Sequence, residues 1–223
     1  ALMLRRRDTP WKPGTRHLSL GLFNDEEAFS NVVFRFLGGG AVQVSERLGE
    51  LDPDRYDLYK RVLPTYATPA KLIYEWKDYL PEHFATPFAG HESLPPWAVV
   101  SLCNWNGGAA KKLSFKAADV PGLPKADAYA AFEVKTQKFL GVFKPGDSIE
   151  QELAAHAARV IRLTPLAEEG RYLIGTDLNL SCGMEIKSVS GRTATVRDEV
   201  RPHEAKCTFL LWKGGEGAVD PGP

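Results

Sequence analysis

Apolar positions in the first third of the chain alternate between strand and helix spacing. Residues 17–23 (His-Leu-Ser-Leu-Gly-Leu-Phe) alternate apolar with small or polar side chains, the period of a strand with one buried face. Asn24 and Asp25 then offer an N-cap, and Glu26 and Glu27 fall in the first turn, where the helix dipole favours acids. Ala28, Phe29, Val32, Val33, Phe36 and Leu37 recur at three and four residues and predict an amphipathic helix, which Gly38-Gly39-Gly40 stops. Residues 41–45 predict a second short strand. Asp52 and Pro53 cap and begin another helix that runs through Tyr56, Leu58, Tyr59, Val62 and Leu63 to Pro64. Strand, helix, strand, helix with short connections is the grammar of a parallel sheet or barrel, although two such units cannot close a barrel.

The pattern changes downstream. Pro64, Pro69, Pro81, Pro87, Pro95 and Pro96 mark residues 65–96 as a connector, with one short strand over 72–76. From Trp97 onward the grammar is all-β. Strands are predicted over 97–102, 111–116, 128–134, 139–143, 148–153, 159–163, 171–174, 184–189, 193–197 and 207–212. Asn106-Gly107-Gly108, Pro145-Gly146-Asp147 and Ser190-Gly191 punctuate them as turns. Short strands at this spacing predict an antiparallel sandwich over 97–213, and the Gly- and Pro-rich residues 214–223 read as a disordered tail. The first domain is then 1–64.

Composition narrows the function classes. At 223 residues, with 43% hydrophobic and 25% charged side chains, the chain can bury a core. Residues 1–96 carry 12 basic and 13 acidic side chains, and residues 97–223 carry 16 and 15. This balance predicts no nucleic-acid partner. No apolar run reaches the roughly 18 residues of a membrane span, and the start does not read as a signal peptide. Cys103, Cys182 and Cys207 are odd in number and widely spaced, which argues against a disulfide framework or zinc site and for a reducing, cytoplasmic setting, with one disulfide plus one free thiol as the open alternative. The histidines lack metal-ligand spacing, so neither metal nor cofactor is expected.

Several segments resemble one family in order. Phe36-Leu37-Gly38-Gly39-Gly40-Ala41-Val42-Gln43-Val44-Ser45-Glu46-Arg47-Leu48, then residues 51–55 and 61–64, resemble the end of the catalytic barrel in α-galactosidase-type glycoside hydrolases, the melibiases and related raffinose synthases. Val100 through Asn104-Trp105, Phe132-Glu133-Val134 with Phe139-Leu140-Gly141, and residues 153–165 resemble successive strands of that family's C-terminal β-sandwich. Leu173-Ile174-Gly175-Thr176-Asp177, with Leu180 and Gly183, resembles the segment that follows. The resemblance implies a mixed fold: the last βα units of a (β/α)8 barrel, then an antiparallel β-sandwich, with Ala1 an internal cut. It departs from the pattern at Ser45-Glu46 (Ser-Asp is usual), at Asn179 (His is usual) and at Gln137-Lys138.

The resemblance implies hydrolysis or transfer of α-galactosides in the parent by two aspartates on upstream barrel strands. No residue here inherits either role. Glycoside hydrolysis needs two carboxyls flanking the bond, and barrel sites gather at the C-terminal ends of strands. Those ends hold Asp25 and Ser45-Glu46. Asp25 reads as a helix cap, and Glu46 as a rim residue able to hydrogen-bond a sugar hydroxyl. Trp11 and Trp76, in irregular segments, are the candidate exposed stacking faces, whereas Trp97 and Trp105 read as core. Asp25, Ser45, Glu46, Trp11 and Trp76 are therefore the substrate-rim candidates. The expected partner is carbohydrate, reached through the missing barrel, with homo-oligomer contacts also open. Two other readings remain: a non-catalytic carbohydrate-binding module, and a structural or assembly protein on the same scaffold.

Overall fold

The computed structural model describes Leu4 and residues 23–44, 47–75, 80–91, 93–200, 206–213 and 215–220. Among the described residues two α-helices, α1 (Asp25–Gly38) and α2 (Pro53–Lys60), precede thirteen strands. β1 (Lys71–Leu72), β2 (His83–Phe88), β3 (Trp97–Cys103), β8 (Ala158–Leu166), β5 (Ala128–Glu133) and β6 (Lys138–Phe143) form a six-stranded sheet in the order β1-β2-β3-β8-β5-β6. β4 (Lys111–Lys116) pairs with β7 (Ser148–Leu153). β9 (Gly170–Thr176), β12 (Cys207–Lys213) and β13 (Glu216–Asp220) make a three-stranded sheet, and β10 (Ile186–Ser190) pairs with β11 (Thr193–Val196).

The six-stranded sheet is the middle of three layers. Side chains alternate across a strand, and here both faces are covered. Trp97, Val99, Ala130, Phe132 and Val160 face one core, shared with α1 and the β9–β12 sheet. Ala98, Val100, Leu102, Ala131, Ile161 and Leu163 face a second core, closed by Leu113 and Phe115 of β4 and Ile149 and Leu153 of β7. This explains the unbroken apolar run of β3, every residue of which is buried.

Helix α1 forms where the spacing predicts it. Its buried face is Ala28, Phe29, Val32, Val33 and Leu37, and it ends at Gly39, whose φ of +60° is a left-handed conformation that glycine adopts without strain. A Cβ there would lie 2.7 Å from the backbone of Thr68. Asn24 is the N-cap, with Asp25 the first helical residue.

Every strand pair recorded among the described residues is antiparallel, and none of these pairs falls within 1–64, where the βα grammar was read. Three expectations are corrected. Residues 41–44 are extended chain with a lone bridge residue at Val44, not a strand; the strand read at 17–23 lies outside the described residues except for Phe23. β2 crosses the Pro-rich stretch read as a connector, and among the described residues of the segment read as strand over 72–76 and its neighbours, only Lys71–Leu72 is strand. Glu216–Asp220, read as disordered, pairs with β12 from Phe209↔Asp220 to Lys213↔Glu216.

Candidate functional site

The N-terminal half of α1 is clamped onto the central sheet by charge. Asn24 Oδ1 accepts from Glu27 N and Glu27 Oε2 accepts from Asn24 N, both at 2.9 Å, closing a reciprocal cap. Glu26 pairs with Lys135 at 2.7 Å and with Arg159 of β8 at 2.8 Å. Burial alone would raise the Glu26 carboxyl pKa. The hydrogen bonds and charges of Arg159 and Lys135 outweigh it and hold the group below its ordinary range. Glu27 Oε1 accepts from Nδ1 of His156, in the β7–β8 turn, at 3.2 Å. Ser30 Oγ donates to the His156 carbonyl at 2.7 Å.

Beside this clamp runs a groove of about 620 Å³, bounded by α1 on one side and by Asn104, Trp105 and His156 on the other. Phe34 stacks on Trp105, with ring centroids 4.5 Å apart and planes at 23°. The indole is fixed by Nε1 donating to the Pro81 carbonyl at 2.7 Å. Asn104 is buried, and its amide reaches the carbonyls of Ala109, Leu153 and Ala154. The loop after β3 is thereby set against the β7–β8 turn.

The groove collects a serine, a histidine and a glutamate, but not as a nucleophilic relay. That relay needs the hydroxyl on the imidazole nitrogen opposite the acid. Here the hydroxyl is on the His156 main-chain carbonyl, so the imidazole cannot take its proton. The arrangement joins α1 to the sheet. Among the described residues no group of three His, Cys, Asp or Glu is placed to hold a metal ion.

Of the substrate-rim candidates, Asp25 alone is described; Trp11, Ser45, Glu46 and Trp76 lie outside the described residues. Asp25 Oδ1 accepts from Arg55 at 2.6 Å, its own side chain 73% exposed and that of Arg55 only 1%. Arg55 also donates to the carbonyls of Phe23 and Asn24, so it ties α2 to the start of α1. Asp25 opens on a separate hollow of about 300 Å³ with Asp54, Asp57, Arg61 and Lys135. Trp97 is buried as expected, donating to the Ser181 carbonyl at 2.9 Å, while Trp105 is a groove wall. The groove residues Glu27, Phe34 and His156 were not among the candidates. Glu27 was legible only as an acid in a first helical turn, and its partner is 129 residues away.

No protein-family model matches the chain, and no curated protein does. Solved structures do. A protein assigned as an α-N-acetylgalactosaminidase from Bacillus halodurans is 19% identical, with a TM-score of 0.52 over 65% of this chain and 33% of its own. α-Galactosidase I from Mortierella vinacea is 15% identical, with a TM-score of 0.51 over 69% of this chain and 39% of its own. A GH27 β-L-arabinopyranosidase from Geobacillus stearothermophilus is 16% identical, with a TM-score of 0.52 over 66% and 32%. The fold is that of a partial α-galactosidase-like domain. The chain spans about a third of the length of these structures, and at this identity the likeness is one of fold.

Proposed function

We propose that this chain is the C-terminal portion of an α-galactosidase-like glycoside hydrolase. It would comprise the closing βα units of the catalytic barrel over 1–64 and the sandwich from Trp97 onward, with β2 of the intervening 65–96 joining the central sheet. The observation that carries this reading is the antiparallel, three-layer fold, matched over about two thirds of the chain by parts of three solved proteins assigned as glycosidases. The portion supports hydrolysis or transfer of α-galactosides and lacks the catalytic aspartates; carbohydrate is engaged through the rest of the barrel, and copies of the chain contribute oligomer contacts. Three free thiols, two of them buried, favour a cytoplasmic setting.

Glycosidic cleavage needs two carboxyls placed across one bond. Glu26, Glu27 and Asp25 are instead engaged with Arg159 and Lys135, His156, and Arg55 respectively. The purified chain is therefore expected to leave an aryl α-galactoside intact over an extended incubation; turnover above the buffer rate would overturn the reading.

A second reading, a non-catalytic carbohydrate-binding module, draws on the Phe34–Trp105 stack at the groove. Titration with galactose and raffinose, followed by tryptophan fluorescence, separates the two. Saturable quenching that Trp105→Ala or Trp76→Ala abolishes would favour the module. Absence of quenching favours the supporting portion.

A further inference from the structure

The loop between β3 and β4 contains Asn106-Gly107, the one Asn-Gly step among the chain's five asparagines. Both residues are exposed, and the Gly107 N–H has no hydrogen-bond partner among the described residues. The imidazole of His156 packs directly on this step, its Nε2 lying 2.7 Å from where a Cβ on Gly107 would stand. The other ring nitrogen, Nδ1, faces Glu27 Oε1 at 3.2 Å. A carboxylate accepts only, so in the neutral ring Nδ1 carries the hydrogen and Nε2 is left as a bare lone pair. Asn106 Oδ1 in turn accepts from Gly108 N at 2.8 Å, which polarises the side-chain amide and favours negative charge building on that oxygen. The main chain holds base and target together, since His156 N donates to the Asn106 carbonyl at 3.2 Å.

We propose that Asn106-Gly107 is a built-in modification site at which the chain converts its own asparagine to aspartate and isoaspartate. In the reactive conformer the Gly107 N–H turns onto the adjacent His156 Nε2, which takes its proton as the Gly107 nitrogen attacks Asn106 Cγ. A nitrogen–carbon bond forms, the Cγ–NH2 bond breaks, and the proton held by the imidazole leaves with the amine as ammonia. Water then opens the resulting succinimide at either carbonyl, so no oxidant or cofactor enters the balance. Both products place a new carboxylate beside His156 and Glu27. The isoaspartyl product also lengthens the main chain by one carbon next to Trp105, loosening the groove wall.

The test is incubation at neutral pH with peptide mapping by mass spectrometry and isoaspartyl methyl-transfer labelling. Three samples are compared: the native chain, the same chain unfolded in urea, and His156→Asn. Asparagine is chosen because residue 156 has a φ of +56°, which asparagine tolerates. The native chain is expected to convert Asn106 faster than the unfolded chain, with the other four asparagines unchanged. His156→Asn with native circular dichroism is expected to lose most of that advantage. A native chain that converts no faster than the unfolded one overturns the proposal, and this comparison stands even if the variant does not fold. A folded His156→Asn that converts at the wild-type rate overturns the role of the imidazole.

Discussion

Arg162 shows how much of this fold rests on single buried polar groups. It is fully buried on β8, donates through Nε to Thr164 Oγ1 at 2.9 Å and through Nη1 to the Cys182 carbonyl, and stands 4.8 Å over the Trp97 ring. Burial pushes its pKa down, against the nearby Cys182 and Glu185. Glu185, equally buried, accepts from Gly183 N and Ser181 Oγ at 2.8 Å and from Thr176 Oγ1. Removing one charge from such a cluster leaves the other uncompensated, at about 3–5 kcal/mol. Arg162→Ala is expected to lower stability by that amount in urea unfolding. Arg162→Lys is expected to rescue little, because an ammonium cannot both stack on the indole and reach two acceptors. The thiols give an independent check. Burial raises Cys103 to about 12 and Cys182 to about 11. Both are expected to resist a disulfide reagent until the chain unfolds, and prompt labelling of either in the native protein would contradict the packing.

At the scale of elements, what was legible in the sequence followed how locally each element is determined. α1 was legible because its apolar spacing and cap are local, and all five residues of its buried face were in the predicted stripe. The strands 111–116 and 148–153 were read with the bounds they have, since β4 and β7 alternate buried Leu113, Phe115, Ile149 and Leu153 with polar neighbours. β2 was missed because Pro87 argues against a strand. It is tolerated because β1 pairs only with Phe84 and Ala85, so nothing needs a ladder donor on that side of Pro87. β13 was missed because its few glycine-rich residues carry no period of their own; register with β12 fixes them. The clamp on α1 was invisible for the same reason, joining Glu26 and Glu27 to partners more than a hundred residues away. Two expectations follow for α1. Phe29→Ala, on a fully buried side chain, should cost about 3–5 kcal/mol in denaturant unfolding. Glu26 has a lowered folded pKa, so its contribution is present above the unfolded carboxylate range and is lost as pH falls through the folded value. The stability gap between wild type and Glu26→Gln should therefore be full at neutral pH and close under acid, and a gap that widened under acid would refute the clamp.

At the scale of the whole molecule, three layers distribute stability unevenly, and this bears on what the chain can support. β3 and β8 lie in the centre of the sheet, paired on both edges and buried on both faces, so their amides open only when both cores are lost. α1 covers one face and is held by a buried apolar stripe plus the Glu26 and Glu27 contacts, so it can lift away while the sheet survives. β10–β11 is a two-stranded ribbon, and β13 is an edge strand with its described side chains exposed. Local opening free energies range from near zero for such elements up to the global value for core strands. Hydrogen exchange followed by mass spectrometry is therefore expected to protect β3 and β8 longest, α1 next, and β10–β11 and β13 least. Arg162→Ala should collapse the protection of β3 and β8 together, because their shared core loses its buried charge cluster. Glu26→Gln should speed exchange in α1 alone. If α1 instead exchanged in step with β3 under both substitutions, helix and sheet would be one cooperative unit, and the groove between them could not open without unfolding the whole domain.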